Sequence, residues 1–325
     1  MNTPGNQGPY PFTNVPPPAN GIAQFSVLPT SIAPGLTLTA LGNLAPPGHV
    51  LPTDHVYFYD WDLSTRGAAP SDVRAVVMPA TGAVFSINHS TTDYKVSFRA
   101  TTNFYFYLDH VVLTQPLTVG QILQAGTPIG ATAAGSTLDL GAFDMTVTHT
   151  GFIDTTRYAQ QSLHYVSPWK YFTPALQAQI APHLYRVASA PLLDAQIDFG
   201  LSGKLVGDWF LQGMPRDSSP GPYGWTRSIA FVYDYYDPSQ VRISIGGTIA
   251  PAGVWAIDAT APRPETVTTA SGIVAYKLYS PFDPGFPPYG LMLVQMIDAT
   301  TVRAQVFVGN VSATAFDAGA VTFVR

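Results

Sequence analysis

The sequence predicts an all-β protein of two modules, a β-sheet domain followed by an antiparallel β-barrel or sandwich. Short runs of alternating apolar and polar residues recur along the chain; in 94–98 the alternation puts Tyr94, Val96 and Phe98 on one face. The runs are broken by turn formers, 28 Gly and 30 Pro in 325 residues, which leaves little room for long helices. Only one segment carries helix signals. Thr173 is placed as an N-cap with Pro174 at the first helical position, ahead of Ala175-Leu-Gln-Ala-Gln-Ile180, which predicts a short helix near 174–186 that Pro182 ends or kinks.

Taken in order, residues 1–35 read as a proline-rich arm without charge. No Asp, Glu, Lys or Arg occurs before Asp54, and such sequence favours extended chain and builds no core alone. From Ala23 onward, the stretches 24–28 and 36–41 alternate like strands, so this part is expected to pack on the domain that follows. Residues 36–187 form the first domain, with short strands between turns. Residues 195–325 form the second, where 241–245, 272–279, 291–297 and 302–308 are strand-like runs separated by Pro/Gly turns.

Within the first domain, Val119-Gly-Gln-Ile-Leu-Gln-Ala-Gly-Thr-Pro-Ile-Gly130 is followed by Phe143-Asp144-Met145. This run resembles the closing hairpin of the LytM/lysostaphin-type zinc peptidoglycan endopeptidases, whose pattern is Val-x-x-Gly-Gln-x-Val-x-x-Gly-x-x-Ile-Gly and then Gly-x-His-Leu-His-Phe-Glu. The segment Val73-Arg-Ala-Val-Val-Met-Pro-Ala-Thr-Gly-Ala-Val84 resembles a second hairpin of that family, Val-x-Ala-x-x-x-Gly-x-Val. The family's opening His-x-x-x-Asp has a counterpart one residue longer in Gly48-His49-Val-Leu-Pro-Thr-Asp54, and its middle Tyr-x-His-Leu has one in Phe104-Tyr-Phe-Tyr-Leu-Asp109-His110. The resemblance covers roughly residues 45–150 and implies a LytM-like sheet domain of the duplicated hybrid motif type. More weakly, Gly207-Asp208-Trp209 with a closing strand ending at Arg325 is similar to a lipocalin-like arrangement, in which an arginine stacks on the tryptophan as a structural seal.

The same resemblance implies a metal site with parts missing. In the family the opening His and Asp bind zinc, and of the two closing histidines one is a ligand and the other a catalytic base. With Phe143-Asp144 aligned on Phe-Glu, those histidines fall on Leu140 and Ala142, which neither bind metal nor move protons. His49 and Asp54 remain as metal ligands, His149 is the donor available for a third position, and His110 is the catalytic candidate. All seven histidines lie between His49 and His183, so histidine chemistry belongs to the first domain; His89, His164 and His183 read as hydrogen-bonded structural residues. Adjacent strand residues point to opposite faces, so neither Asp54-His55 nor Asp109-His110 is expected to cooperate within itself, although the two segments can pair with each other. Asp60-Trp61-Asp62 reads as a solvated edge, with Ca²⁺ binding as its alternative. Gly-x-Ser-x-Gly elbows and phosphate loops are absent.

Composition narrows the function classes. Charged residues make up 11% of the chain and the net charge is −5, with only 15 Lys and Arg, which excludes the cationic surface that nucleic acid requires. No apolar run is long enough for a membrane span, and no basic region with an apolar core marks a signal segment. The absence of Cys excludes disulfides and thiolate sites. Sparse Lys and Glu with abundant Thr, Ala, Gly and Pro favour an exported, bacterial protein, extracellular or in the cell envelope. The expected function is therefore non-catalytic: a pseudoenzyme that binds cell-wall or extracellular glycan, or a scaffold for another protein chain, with no cofactor. The alternatives are a zinc-dependent peptidoglycan hydrolase with a relocated third ligand and a self-assembling homo-oligomeric structural subunit.

Overall fold

In the first sheet two tight turns exchange partners, and that exchange sets the layout of the domain. The computed structural model describes residues 15–18, 23–32, 36–59, 73–133, 136–214, 227–282, 286–309 and 311–325. Its first ten strands are β1 (Thr37–Leu38), β2 (His55–Tyr59), β3 (Ala75–Val77), β4 (Gly82–Ser90), β5 (Asp93–Arg99), β6 (Phe104–Leu113), β7 (Ile122–Leu123), β8 (Pro128–Thr132), β9 (Leu138–Asp144) and β10 (Tyr165–Val166). The segments resembling hairpins do not pair within themselves: β3 pairs with β8, and β4 pairs with β7 and β5. A turn that crosses another in this way joins two parts of one sheet.

The path runs β1-β2-β9-β6-β5-β4-β7, with β10 on β9 and β8 on β6, and every pairing is antiparallel. One face of β2, β9 and β6 carries Val56 and Phe58, Leu138, Leu140 and Ala142, and Phe104, Phe106 and Leu108, all buried in one core. Burying side chains of this size contributes about 1.5–3 kcal/mol each, so this face fixes the register. Phe25, from the proline-rich stretch, fills the same core, with ring centroids 5.3 Å from Phe106 and 5.0 Å from Phe172. Its backbone bridges Phe172, while Val15 O accepts from Arg99 Nη1 at 2.8 Å. Residues 1–14, 19–22 and 33–35 lie outside the described residues, as do Asp60-Trp61-Asp62.

Among the described residues the one α-helix, α1 (Pro174–Ile180), is capped by Thr173, whose side chain accepts from Leu176 N; Pro182 lies in the 3-10 turn that follows. Among the described residues no helix is long and apolar enough to cross a membrane.

The remaining strands are β11 (Gly207–Leu211), β12 (Ser228–Tyr233), β13 (Val241–Ile245), β14 (Gly253–Ala256), β15 (Val274–Leu278), β16 (Gly290–Met296), β17 (Thr301–Val308) and β18 (Val321–Val324). They form one sheet in the order β14-β13-β12-β11-β18-β17-β16-β15. Its two edges meet where Ala256 and Tyr279 exchange both backbone hydrogen bonds at 2.9 Å, so the eight-stranded sheet nearly closes into a barrel rather than forming a sandwich. Side chains including Trp209, Phe231, Tyr276, Met292 and Phe323 fill the inside, as eight strands permit. The Arg325 guanidinium lies 4.2 Å from the Trp209 ring centroid, a cation–π contact, and donates to Val206 O at 3.0 Å.

Candidate functional site

The outer face of β2, β9 and β6 is polar, and it is built by the registers just given. His55 pairs with Gly141 and Tyr57 with Asp139 across β2 and β9, while Tyr107 and Asp109 pair with the same two residues from β6. Side chains alternate along β9, so Asp139 and Gly141 belong to this face and Leu140 and Ala142 to the core, where both are fully buried. Leu140 and Ala142, the positions expected for the family's closing histidines, thus point into the core, and the β9 residues on the polar face are Asp139 and Gly141. Neither is a histidine.

Gly141 makes room for Tyr107: a Cβ at this position would lie 2.2 Å from Tyr107 Cε1. The phenol so placed donates to Asp54 Oδ1 at 2.9 Å, and His55 Nδ1 donates to the same oxygen at 2.8 Å. His55 Nε2 lies 2.9 Å from the Tyr57 hydroxyl and 3.3 Å from Asp139 Oδ2. Asp139, only 3% exposed, also accepts from Thr137 Oγ1 at 2.7 Å and faces His110 Nε2 at 3.5 Å. One buried carboxylate thus links the two Asp-His segments.

The expectation that neither pair cooperates within itself is corrected for Asp54-His55; in Asp109-His110 the carboxylate bonds only the His110 backbone, and the imidazole is held by Asp93. Asp54 precedes β2, free of strand alternation, and turns back onto His55. In β6 the alternation breaks at His110, whose φ of 63° is left-handed, beside a register shift between β5 and β6. His110 N donates to Asp109 Oδ1 at 2.9 Å, and His110 Nδ1 lies 2.9 Å from Asp93 Oδ2.

These contacts set the protonation states. Burial alone would raise the Asp54 carboxyl, but the hydrogen bonds from His55 and Tyr107 hold it far below the usual carboxylate range. Burial lifts the Asp139 carboxyl against the pull of His55 and His110. Burial would lower His110, yet Asp139, Asp109 and Asp93 raise it above the ordinary imidazole value. His49, whose ring centroid is 5.2 Å from that of His55, is pushed down to about 4 by burial and by His55. Burial also raises Tyr57 and Tyr107, which stay neutral phenols.

This face forms one wall of a cavity of about 400 Å³. The opposite wall comes from residues 152–165 and from the barrel, where Asp208 on β11 accepts from the Tyr158 hydroxyl at 2.9 Å. Burial pushes the Asp208 carboxyl up to about 7 against Tyr158 and Arg325, and its Oδ1 has no hydrogen-bond partner.

His49, Asp54, His55 and His110 all line this cavity, whereas His149 does not. His149 lines a second cavity, with Nδ1 3.2 Å from Asp198 Oδ1 and Nε2 against Tyr165 O. The expected set of His49, Asp54 and His149 is not brought together. Among the described residues, the one group of three His, Asp or Glu side chains with ligand atoms within 4.8 Å of one another is Asp93, Asp109 and His110. Lys95 Nζ already stands 3.3 Å from Asp109 Oδ2 there. A tetrahedral zinc site needs three protein donors around an open position, and the set at His49 and Asp54 does not supply it. His164 and His183 each face a backbone carbonyl, Val147 O at 2.6 Å and Leu36 O at 3.1 Å.

Sequence reasoning missed Asp139, Tyr57 and Tyr107. The signal for Asp139 was a lone acid in the apolar run Leu138-Asp139-Leu140-Gly141. The two tyrosines were signalled by alternation, Tyr57 two residues from His55 and Tyr107 two residues from Asp109.

No family model matches the chain, and no curated protein matches it. Among solved structures it is similar to Csd3 of Helicobacter pylori, at 16% identity and a TM-score of 0.28, over 38% of this chain and 32% of that one. A zinc-containing peptidase from Vibrio cholerae is similar at 15% identity and a TM-score of 0.26, over 38% and 36%. The solution structure of lysostaphin is similar at 8% identity and a TM-score of 0.27, over 89% and 87%. The matched part spans about a third of the Helicobacter and Vibrio proteins, and values this low transfer no activity.

Proposed function

We propose that this chain is a non-catalytic binding or scaffold protein of the cell envelope or extracellular space that contacts a cell-wall or extracellular glycan. The observation that carries the non-catalytic part is the mutual satisfaction of the polar face. Asp54 Oδ1 takes hydrogen bonds from both His55 and Tyr107, and Asp139 lies between His55 and His110. A group acting as metal ligand or proton acceptor needs a lone pair directed at metal or substrate. Here Asp54 Oδ1 and Asp139 Oδ2 are directed at neighbouring side chains, and Gly141 on β9 offers no side chain.

A zinc-dependent hydrolase with relocated ligands is the second reading, favoured by the convergence of Asp93, Asp109 and His110. One experiment separates the two. Purified chain is incubated with peptidoglycan, with and without added zinc, and soluble fragments and chain retained on the polymer are both measured. Retention without release is expected, together with a melting temperature that chelators do not shift. Zinc-dependent release that disappears in His49→Ala or His110→Ala would replace this proposal with the hydrolase.

A further inference from the structure

The second cavity, of about 590 Å³, lies between residues 166–171, the connector 186–199 and the end of β12, within the size range typical of small-molecule sites, about 300–1,000 Å³. Most of its charged groups are already matched in ion pairs. Lys170 Nζ is 2.9 Å from Asp194, His149 Nδ1 is 3.2 Å from Asp198, and Arg263 Nε is 2.8 Å from Glu265 just behind the lining. Asp234 is bonded to Arg242. Arg186, also in the lining, is committed to backbone carbonyls, so an ionic ligand would have to break one of these pairs or compete with those carbonyls for the Arg186 guanidinium. A neutral hydroxylated ligand would not, because paired carboxylates and guanidinium groups keep further lone pairs and N–H groups for weak donors and acceptors.

Half-buried rings of Tyr171, Phe199, Tyr233 and Tyr235 stand among these polar groups. Apolar ring surface beside hydrogen-bonding groups suits a molecule with apolar C–H faces and a hydroxylated rim. Ser167 also lines the cavity at 2% exposure, and its Oγ has no hydrogen-bond partner. Buried hydroxyls are ordinarily bonded, so this one has no role that the fold itself explains. The connector wall is fixed in advance: Arg186 Nε donates to Tyr235 O at 2.9 Å, and its Nη1 reaches the carbonyls of Pro191 and Asp194.

We propose that this second cavity is a saccharide site, taking a neutral sugar residue of a glycan between the aromatic rings and the paired charges. It rests on the reading of the chain as a glycan-contacting protein and names where that contact is made. The test is calorimetric titration of the full chain with the β-1,4-linked trimer of N-acetylglucosamine, with inorganic phosphate as an ionic probe. Gln196→Trp, which places a ring in the cavity from an exposed position, is expected to weaken trimer binding at least about tenfold. Ser167→Ala is expected to weaken it about three- to tenfold with the melting temperature unchanged or raised, an outcome a purely structural serine would not give. Phosphate is expected neither to bind nor to compete. Trimer binding that survives Gln196→Trp and Ser167→Ala, or that is lost instead in His110→Ala, overturns this placement and leaves the glycan reading standing. Failure of the full chain to bind the trimer overturns the placement, and failure to be retained on peptidoglycan as well sinks the glycan reading with it.

Discussion

A carboxyl group enclosed by a barrel wall and the Tyr158 hydroxyl keeps its proton because ionising it would strand a charge away from water. Asp208 does so up to about pH 7, against an ordinary value of 3.8. The unfolded chain releases this proton first as pH rises, so the folded state is favoured most in acid, and that advantage is lost progressively between about pH 4 and 7. A shift of this size corresponds to about 4 kcal/mol. His49 works in the opposite sense: pushed down from 6.5 to about 4, it resists protonation while the unfolded chain accepts it, so stability falls on acidification through that window. Asp208→Asn keeps the shape and removes the titration. The variant is expected to melt higher than the parent at pH 8, to match it near pH 4, and to lack the fall in stability that the parent shows between about pH 4 and 7 from Asp208. Melting curves between pH 4 and 8.5 check this, and parallel profiles for the two proteins would refute the assignment. Little of this was legible in the sequence, where Asp208 stood out only as the neighbour of Trp209. The environment of a single carboxyl depends on a partner 50 residues away, Tyr158, which no local pattern announces.

Whole strands were easier to read than their faces. The alternation in β5 and β13, the turns around β15 to β17 and the Thr173-Pro174 helix start each depend on neighbours within a few residues, and the structure has its elements there. β9 shows why the site was harder. Six of its seven residues are buried, so polarity does not separate one face from the other, and alignment by the trailing Phe143-Asp144 chose the core face. Asp139 and Gly141 distinguish themselves only through their cross-strand partners, Tyr57 and Asp109 for one and His55 and Tyr107 for the other. At His110 a left-handed residue breaks the alternation of β6, so the partners of its imidazole, Asp93 and Asp139, are not legible from the strand pattern. Gly141 gives the test of this register. A methyl group there would collide with the Tyr107 ring, so Gly141→Ala is expected to destabilise the chain by about 2–3 kcal/mol. Tyr107→Ala in the same chain should recover part of the loss, since it removes the obstructing atoms. Urea denaturation of the two single variants and the double variant measures the coupling. Additive losses would mean that Gly141 does not face Tyr107.

At the scale of the molecule, sheet and barrel have separate cores, and the chain between α1 and β11 connects them. Proline and glycine punctuation announced two β modules, but the near-closure of the second into a barrel depends on the Ala256–Tyr279 bridge between segments 23 residues apart, which no local signal marks. The connector is held at both ends. Tyr185 stacks on Tyr236 with centroids 4.3 Å apart and Arg186 is bound to Tyr235 O, while Ile197 is buried and Asp198 accepts from Gly151 N at 2.9 Å. Between those anchors, residues 188–194 have no strand or helix; Arg186 binds the carbonyls of Pro191 and Asp194, which leaves 188–190 the least held. Proteolysis requires a stretch that can leave the surface without unfolding a core, so limited digestion is expected to cut first within 188–190. The fragments should then co-elute at pH 6. The Tyr158–Asp208 hydrogen bond and the Arg157 guanidinium, 5.2 Å from the Phe210 ring centroid, join sheet and barrel independently of the connector. At pH 8, where Asp208 is ionised, the nicked pair should dissociate more readily than at pH 6, and Asp208→Asn should abolish that difference. Mass spectrometry locates the cut and size-exclusion chromatography follows the pair. First cleavage inside either core, or fragments that separate equally at both pH values, would show that the connector and the Asp208 contact do not divide the work of joining the modules in this way.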